Sequence, residues 1–130
     1  MTHPEPPAEL RPAWAEVDLA AVRANVRAWS TFVAPASVCA VVKADGYGHG
    51  ATPVGRAAVD AGASCLAVAL VEEGEQLRSA EIDAPILVLS EPVPEAAESV
   101  VAHRLTPVVY TAGGIDSVAK AASAATPAPV

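Results

Sequence analysis

The chain has 130 residues, 52% of them hydrophobic, and a formal net charge of −7. That length and apolar content suit one modest domain with a packed core and argue against wholesale disorder. The acidity argues against nucleic acid or an anionic membrane as the main partner. No stretch approaches the ~18 uninterrupted apolar residues of a membrane span, and the N-terminus, with Glu5, Glu9, Arg11 and several prolines, lacks the layout of a secretory signal. A cytoplasmic enzyme or binding protein fits this composition.

Residues 1–12 are proline-rich and polar and read as a disordered tail, with one folded unit over 13–130. Trp14–Val17 reads as a short strand. Asp18 is positioned as the N-cap of a helix over Leu19–Phe32, with Val22, Val26, Trp29 and Val33 forming its apolar stripe. Strand-like runs then begin at Val38, Cys65, Pro85 and Pro107. Helix-compatible stretches follow them at about Pro53–Ala61, Val71–Ala80, Pro94–Ala102 and Ile115–Ala124. Thr52-Pro53 reads as an N-cap with proline at the first helical position, and Gly62 as a C-terminal cap. Such alternation implies βαβ units and a parallel sheet, with strands apolar on both faces because helices cover them. Cys39 and Cys65 sit in these runs and read as buried, reduced thiols. Four βα units are half of an eightfold barrel, and Thr126–Val130 reads as a linker toward further strands; a complete four-stranded open sheet is the alternative.

The run from Val38 is apolar until Lys43, and a glycine-rich turn follows, with Gly46, Gly48 and Gly50. In α/β sheets and barrels the working residues stand at the carboxyl ends of strands, where Lys43 is expected. A buried lysine gives up its proton more readily, and its neutral amine can condense with an aldehyde; a stem that snorkels to solvent is the plainer reading. Tyr47, four residues on, is placed to donate its hydroxyl to a phosphate beside the lysine, or to cover the rim. His49 has no ligand-spaced partner and reads as a loop hydrogen-bonder, so no metal is expected. Asp45 is expected to brace the turn through its own backbone. Glu72, Glu73 and Glu75 are expected to complement the positive end of a helix dipole. No serine–histidine–acid arrangement is read from the chain.

Gly46–Ala51 also satisfies G-x-G-x-x-A, the relaxed dinucleotide fingerprint, with Glu72 near the place of a ribose-binding acid. Against a nucleotide-binding domain, Lys43-Ala44-Asp45 intervene between strand and first glycine, and Thr52-Pro53 sets the helix start too late.

The stretch VVKADGYGHG (Val41–Gly50) resembles the cofactor-lysine motif of bacterial alanine racemases. WAEVDLAAVRANVR (Trp14–Arg27), LAVALVEEGEQLR (Leu66–Arg78), APILVLSEP (Ala84–Pro92) and LTPVVYT (Leu105–Thr111) are similar to that family in order and spacing. One departure is the missing glycine near Ala80-Glu81, which touches a helix cap and not chemistry. Non-catalytic pyridoxal-phosphate homeostasis proteins share the barrel but usually lack the GYGHG continuation.

The resemblance implies the N-terminal half of a (β/α)8 barrel, cut before the remaining strands and a C-terminal β domain, in a protein that works as a homodimer. It implies pyridoxal 5′-phosphate held by Lys43 as an internal aldimine, its phosphate bound by Tyr47, and its ring touched by Val41 and Leu89. It implies two-base interconversion of L- and D-alanine, supplying D-alanine for peptidoglycan, with Lys43 handling the proton of the D-enantiomer. The second base and the ring-nitrogen partner then lie beyond Val130, so the 130-residue chain alone is expected to be inactive.

Overall fold

The computed structural model describes residues 14–125; the proline-rich tail, His3 and Thr126–Val130 lie outside the described residues. The first helix, α1 (Leu19–Phe32), starts where a carboxylate can satisfy its free amides: Asp18 accepts from the N–H of Ala20 at 2.8 Å and of Ala21 at 3.2 Å. Val22, Val26 and Val33 are partly buried, as the stripe requires. Trp29 is not: it lies at the edge of the stripe, turns outward and meets Phe32 edge-on, ring centroids 5.7 Å apart. Trp14–Val17 is irregular and not a strand, since no ladder partner reaches it among the described residues.

Four short parallel strands follow, β1 (Cys39–Val41), β2 (Cys65–Val68), β3 (Ile86–Val88) and β4 (Thr106–Pro107), in the spatial order of the chain. β4 is shorter than the sequence run: it covers Thr106–Pro107, with one further bond from the Val108 N–H to the Val88 carbonyl at 2.9 Å. After β1 comes a one-turn element, α2 (Lys43–Tyr47), then α3 (Ala51–Asp60), α4 (Val71–Ser79), a 3₁₀ turn (Pro94–Ala96) running into α5 (Ala97–Ala102), and α6 (Ala112–Ala125). α3 begins two residues before the expected start, so Thr52 is not its N-cap. Pro53 falls instead at the third helical position, where its missing N–H costs no intrahelical bond. Gly62, at φ 108, follows the end of α3 as a cap.

A strand order that never reverses is the arrangement of a barrel arc and not of a doubly wound sheet. Alternation divides each strand between two faces. Val42, Leu66, Val68, Ile86 and Val88 point to the helix side, where Ala58, Leu77, Val100 and Leu105 close a dry core. Burying each of the larger of these side chains is worth roughly 1.5–3 kcal/mol. The other face carries Cys39, Val41, Leu87, Leu89 and Val108, brought into line by the registers Val41↔Ala67 and Ala67↔Leu87. Here the expectation of strands covered on both faces fails among the described residues. Val41 is 40% and Leu89 42% exposed, and Cys39 is exposed beside its register partner Cys65, which is partly buried; both are free thiols. Four strands make only part of a barrel, so among the described residues this face is left open at Val41, Leu89 and Cys39.

Candidate active site

Lys43 follows the carboxyl end of β1, two residues past Val41, where Val42 (ψ 21) turns the chain out of the strand. Leu89 occupies the corresponding level beyond β3, its N–H donating to the Val68 carbonyl at 2.9 Å. Val41 and Leu89 therefore share one surface, and Lys43 stands at its edge, just past the end of β1. Tyr47, 58% exposed, brings its ring to 5.6 Å from the Lys43 Nζ, within cation–π range.

The support of this lysine is unusual. Ala44, Asp45, Gly46 and Tyr47 all have positive φ, at 51°, 52°, 61° and 57°, forming one turn of left-handed helix. The N–H of Gly46 donates to the Val42 carbonyl at 2.8 Å, and that of Gly48 to Ala44 at 3.1 Å. Each non-glycine residue so placed costs about 1–2 kcal/mol, and such strain persists only where surrounding contacts over-determine it. Those contacts are present. Asp45 braces the turn through its own backbone as expected, its carbonyl accepting from the N–H of Gly50 at 2.8 Å and of Gly48 at 3.1 Å, and its Oδ1 also caps α3 by accepting from the N–H of Ala51 at 2.8 Å. His49 lies in the loop as expected, its Nδ1 2.9 Å from the Gly46 carbonyl; a carbonyl only accepts, so that nitrogen carries the proton.

Glu73 is the residue the sequence undervalued. It does sit in the first turn of α4, but its Oε2 accepts from the N–H of Ala69 at 2.7 Å and of Leu70 at 3.0 Å, while Oε1 accepts from Ala44 at 2.6 Å. The local half of this is a capping-box glutamate. The pattern is hidden in the sequence because Leu70, not serine or threonine, stands at the N-cap. Glu75 turns away and accepts a hydrogen bond from the Ser99 hydroxyl. Ser99 Oγ also lies 3.0 Å from His103 Nδ1, so a serine, a histidine and an acid do come together, contrary to the sequence reading. The order is glutamate–serine–histidine, with His103 Nδ1 also committed to the Ser99 carbonyl, on the helical outer layer away from Lys43. That is a helix–helix tie and not a base–nucleophile pair.

The match to a protein family decides the class. Residues 17–130 match the family described as alanine racemase, N-terminal domain. The chain belongs to this family. Curated relatives include the alanine racemase of Symbiobacterium thermophilum, 54% identical over 101 residues that cover 78% of this chain and 27% of that protein. The alanine racemase of Desulfovibrio desulfuricans is 43% identical over 114 residues, 87% of this chain and 31% of the relative. Among solved structures, alanine racemase from Bacillus anthracis with bound L-Ala-P superposes with a TM-score of 0.82 at 36% identity, covering 90% of this chain and 31% of that one. Alanine racemase from Streptomyces coelicolor A3(2) gives 0.76 at 43% identity, over 84% and 30%. The chain thus spans less than a third of these relatives' length, and its four-stranded arc is the N-terminal part of their barrel.

Within an alanine racemase domain the dinucleotide reading of the glycines has no place. A fingerprint loop offers its helix N-terminus to a pyrophosphate, whereas the first amide of α3 is already taken by Asp45. A primary amine at the end of an apolar sheet face with a phenol beside it instead suits an aromatic aldehyde bearing a phosphate. Among the described residues no group of three or more histidine, cysteine or acidic side chains could hold a metal, and no helix is long and apolar enough to cross a membrane.

Proposed function

We propose that this chain is the cofactor-lysine segment of a pyridoxal-phosphate-dependent alanine racemase. The observation that carries the reading is the placement of Lys43, held by a strained turn at the carboxyl end of β1 above the apolar surface of Val41 and Leu89, with Tyr47 beside it. Lys43 would hold the cofactor through Nζ, Tyr47 would donate its hydroxyl to the phosphate, and Val41 and Leu89 would lie against the ring and keep water from it. The cofactor, when bound, supplies an electron sink that makes the α-hydrogen of an amino acid acidic. Lys43 then has a second role on one side of the substrate, taking the α-proton of the D-enantiomer on Nζ and returning it. Racemisation needs a base on the opposite side as well. Neither tyrosine of this chain suits that role, because Tyr47 is committed to the phosphate and Tyr110 follows β4. That base, the partner of the ring nitrogen, the homodimer and a part in supplying D-alanine for peptidoglycan belong to the longer protein.

The test uses the full-length polypeptide carrying this segment. Borohydride reduction in the presence of pyridoxal 5′-phosphate should leave a pyridoxyl group on Lys43, read by peptide mass spectrometry, and Lys43→Ala should abolish both label and L/D-alanine exchange. Label without exchange would mark a non-catalytic cofactor carrier instead. The 130-residue segment by itself should show no turnover.

A further inference from the structure

A lysine that must first anchor a ligand and then move a proton needs a fixed base of support. The turn beneath Lys43 has a conformation its own residues resist. Of the contacts that hold it, Asp45–Ala51 and His49–Gly46 are local, closing the turn on itself and on α3. Glu73 alone among these three ties it across the sheet. One carboxylate oxygen takes the N–H of Ala44, the residue after Lys43; the other takes Ala69 and Leu70, at the end of the neighbouring strand. Register places Ala69 level with Lys43, since Val41 pairs with Ala67 two residues earlier on each strand. Three donors converge on a group that can only accept, which is the chemistry of an ionised carboxylate and not of an amide.

We propose that Glu73 is a positioning residue for Lys43: it clamps the left-handed turn to the end of β2 and so aims the ε-amine over the apolar face. This rests on the functional reading above, which gives the amine a target. The clamp does not touch substrate or cofactor; it acts through the Ala44 amide. Replacing it with glutamine keeps the size but turns an NH₂ group toward backbone donors on one side, releasing either the turn or the strand end.

The experiment compares wild type, Glu73→Gln, Ala44→Gly and the double variant in the full-length protein. Four readouts are taken: hydrogen exchange at the Ala44 amide without cofactor, the pH midpoint of the lysine-bound chromophore, kcat against KM, and melting temperature. Glu73→Gln should speed Ala44 exchange at least about tenfold, shift the pH midpoint, and lower kcat by roughly 10–100-fold with little change in KM, the size expected from an ångström of misplacement. Ala44→Gly, which removes the steric objection to positive φ, should restore much of the loss in the double variant. A Glu73→Gln protein that only melts earlier, with Ala44 exchange and pH midpoint as in wild type, or a double variant whose effects simply add, would overturn the proposal. If Glu73→Gln does not fold, Glu73→Asp, too short to span both loops, must show the same pattern; wild-type behaviour there also overturns it. Absence of label on wild-type Lys43 sinks the functional reading instead, and the Ala44 exchange cycle still decides the clamp.

Discussion

Asp45 accepts the N–H of Ala51 at 2.8 Å, so a side chain inside the left-handed turn also caps the right-handed helix that follows it. Gly50, the residue at the N-cap of α3, has no side chain to do this. Aspartate suits both positions, because its short polar side chain tolerates positive φ better than most. Asp45→Ala should therefore destabilise the fold by about 1–2 kcal/mol through loss of the cap. Asp45→Asn, which retains an acceptor oxygen, should cost less than half of that. Chemical denaturation of the two variants side by side checks the order; equal losses would mean that the charge and not the cap matters.

Glu81 has φ 58 and follows α4 in the position that glycine commonly takes. Its N–H donates to Arg78 at 2.8 Å and that of Ile82 to Leu77 at 3.2 Å, the closing pattern of a left-handed helix cap. The glycine missing from the sequence near Ala80-Glu81 is thus missing from a position whose backbone asks for one. Glu81 is exposed and no side-chain bond of it is seen among the described residues. Glu81→Gly should stabilise the protein by about 1 kcal/mol, the steric penalty of positive φ less the entropy glycine brings to the unfolded chain. A thermal melt that falls instead of rising would show that unfolded-state entropy dominates.

Much of this architecture is legible in the sequence because its signals are local. Asp18 caps the helix it precedes, Gly62 follows the helix it ends, and the apolar runs at Cys65 and Ile86 become strands. Lys43 at the end of its run stands just past the carboxyl end of β1. The left-handed turn is not legible, since Ala44 has no local preference for it. The Ala44 amide is bound there by Glu73, 29 residues away along the chain. The same holds for the glutamate–serine–histidine tie, whose acid sits one helix away from Ser99 and His103. Residue spacing also gives no hint of the open sheet face, which follows from how many strands close the arc.

Arg78 holds the end of the sheet opposite Lys43. Its guanidinium donates to the carbonyls of His103 at 2.8 Å, Ile82 at 2.5 Å, Ala84 at 2.8 Å and Arg104 at 3.0 Å. Two of these carbonyls follow α4 and two follow α5, so one planar fork ties consecutive βα units together. Burial, with a smaller contribution from Arg104, lowers its pKa from the ordinary value of an arginine. A lysine ammonium cannot span the same four acceptors. Arg78→Lys should cost about 1–2 kcal/mol and Arg78→Met about 2–4 kcal/mol, the latter leaving part-buried carbonyls without a donor. Neither change should affect borohydride labelling of Lys43 while the protein is folded, which separates this structural tie from the site.

Glu91 ties the β3 and β4 ends together. Its Oε1 accepts from the Thr111 hydroxyl at 2.8 Å and from the N–H groups of Thr111 at 3.0 Å and Tyr110 at 3.2 Å. Partial desolvation raises its pKa, but the bonds from Thr111 and Tyr110 outweigh it and hold the carboxyl below its usual 4.5. The folded state then binds this proton more weakly than the unfolded chain does. The stability Glu91 provides is fully present above pH 4.5 and is lost as pH falls through its lower folded value. Gly114 is the reason the carboxylate fits, because a Cβ there would occupy the space of Glu91 Oε1. Glu91→Gln should flatten the acid limb of a stability-versus-pH curve relative to wild type, leaving the curves parallel above about pH 5. Gly114→Ala, by displacing the carboxylate, should produce the same flattening without removing the charge. Acid limbs of equal slope in all three proteins would place the proton linkage on another group.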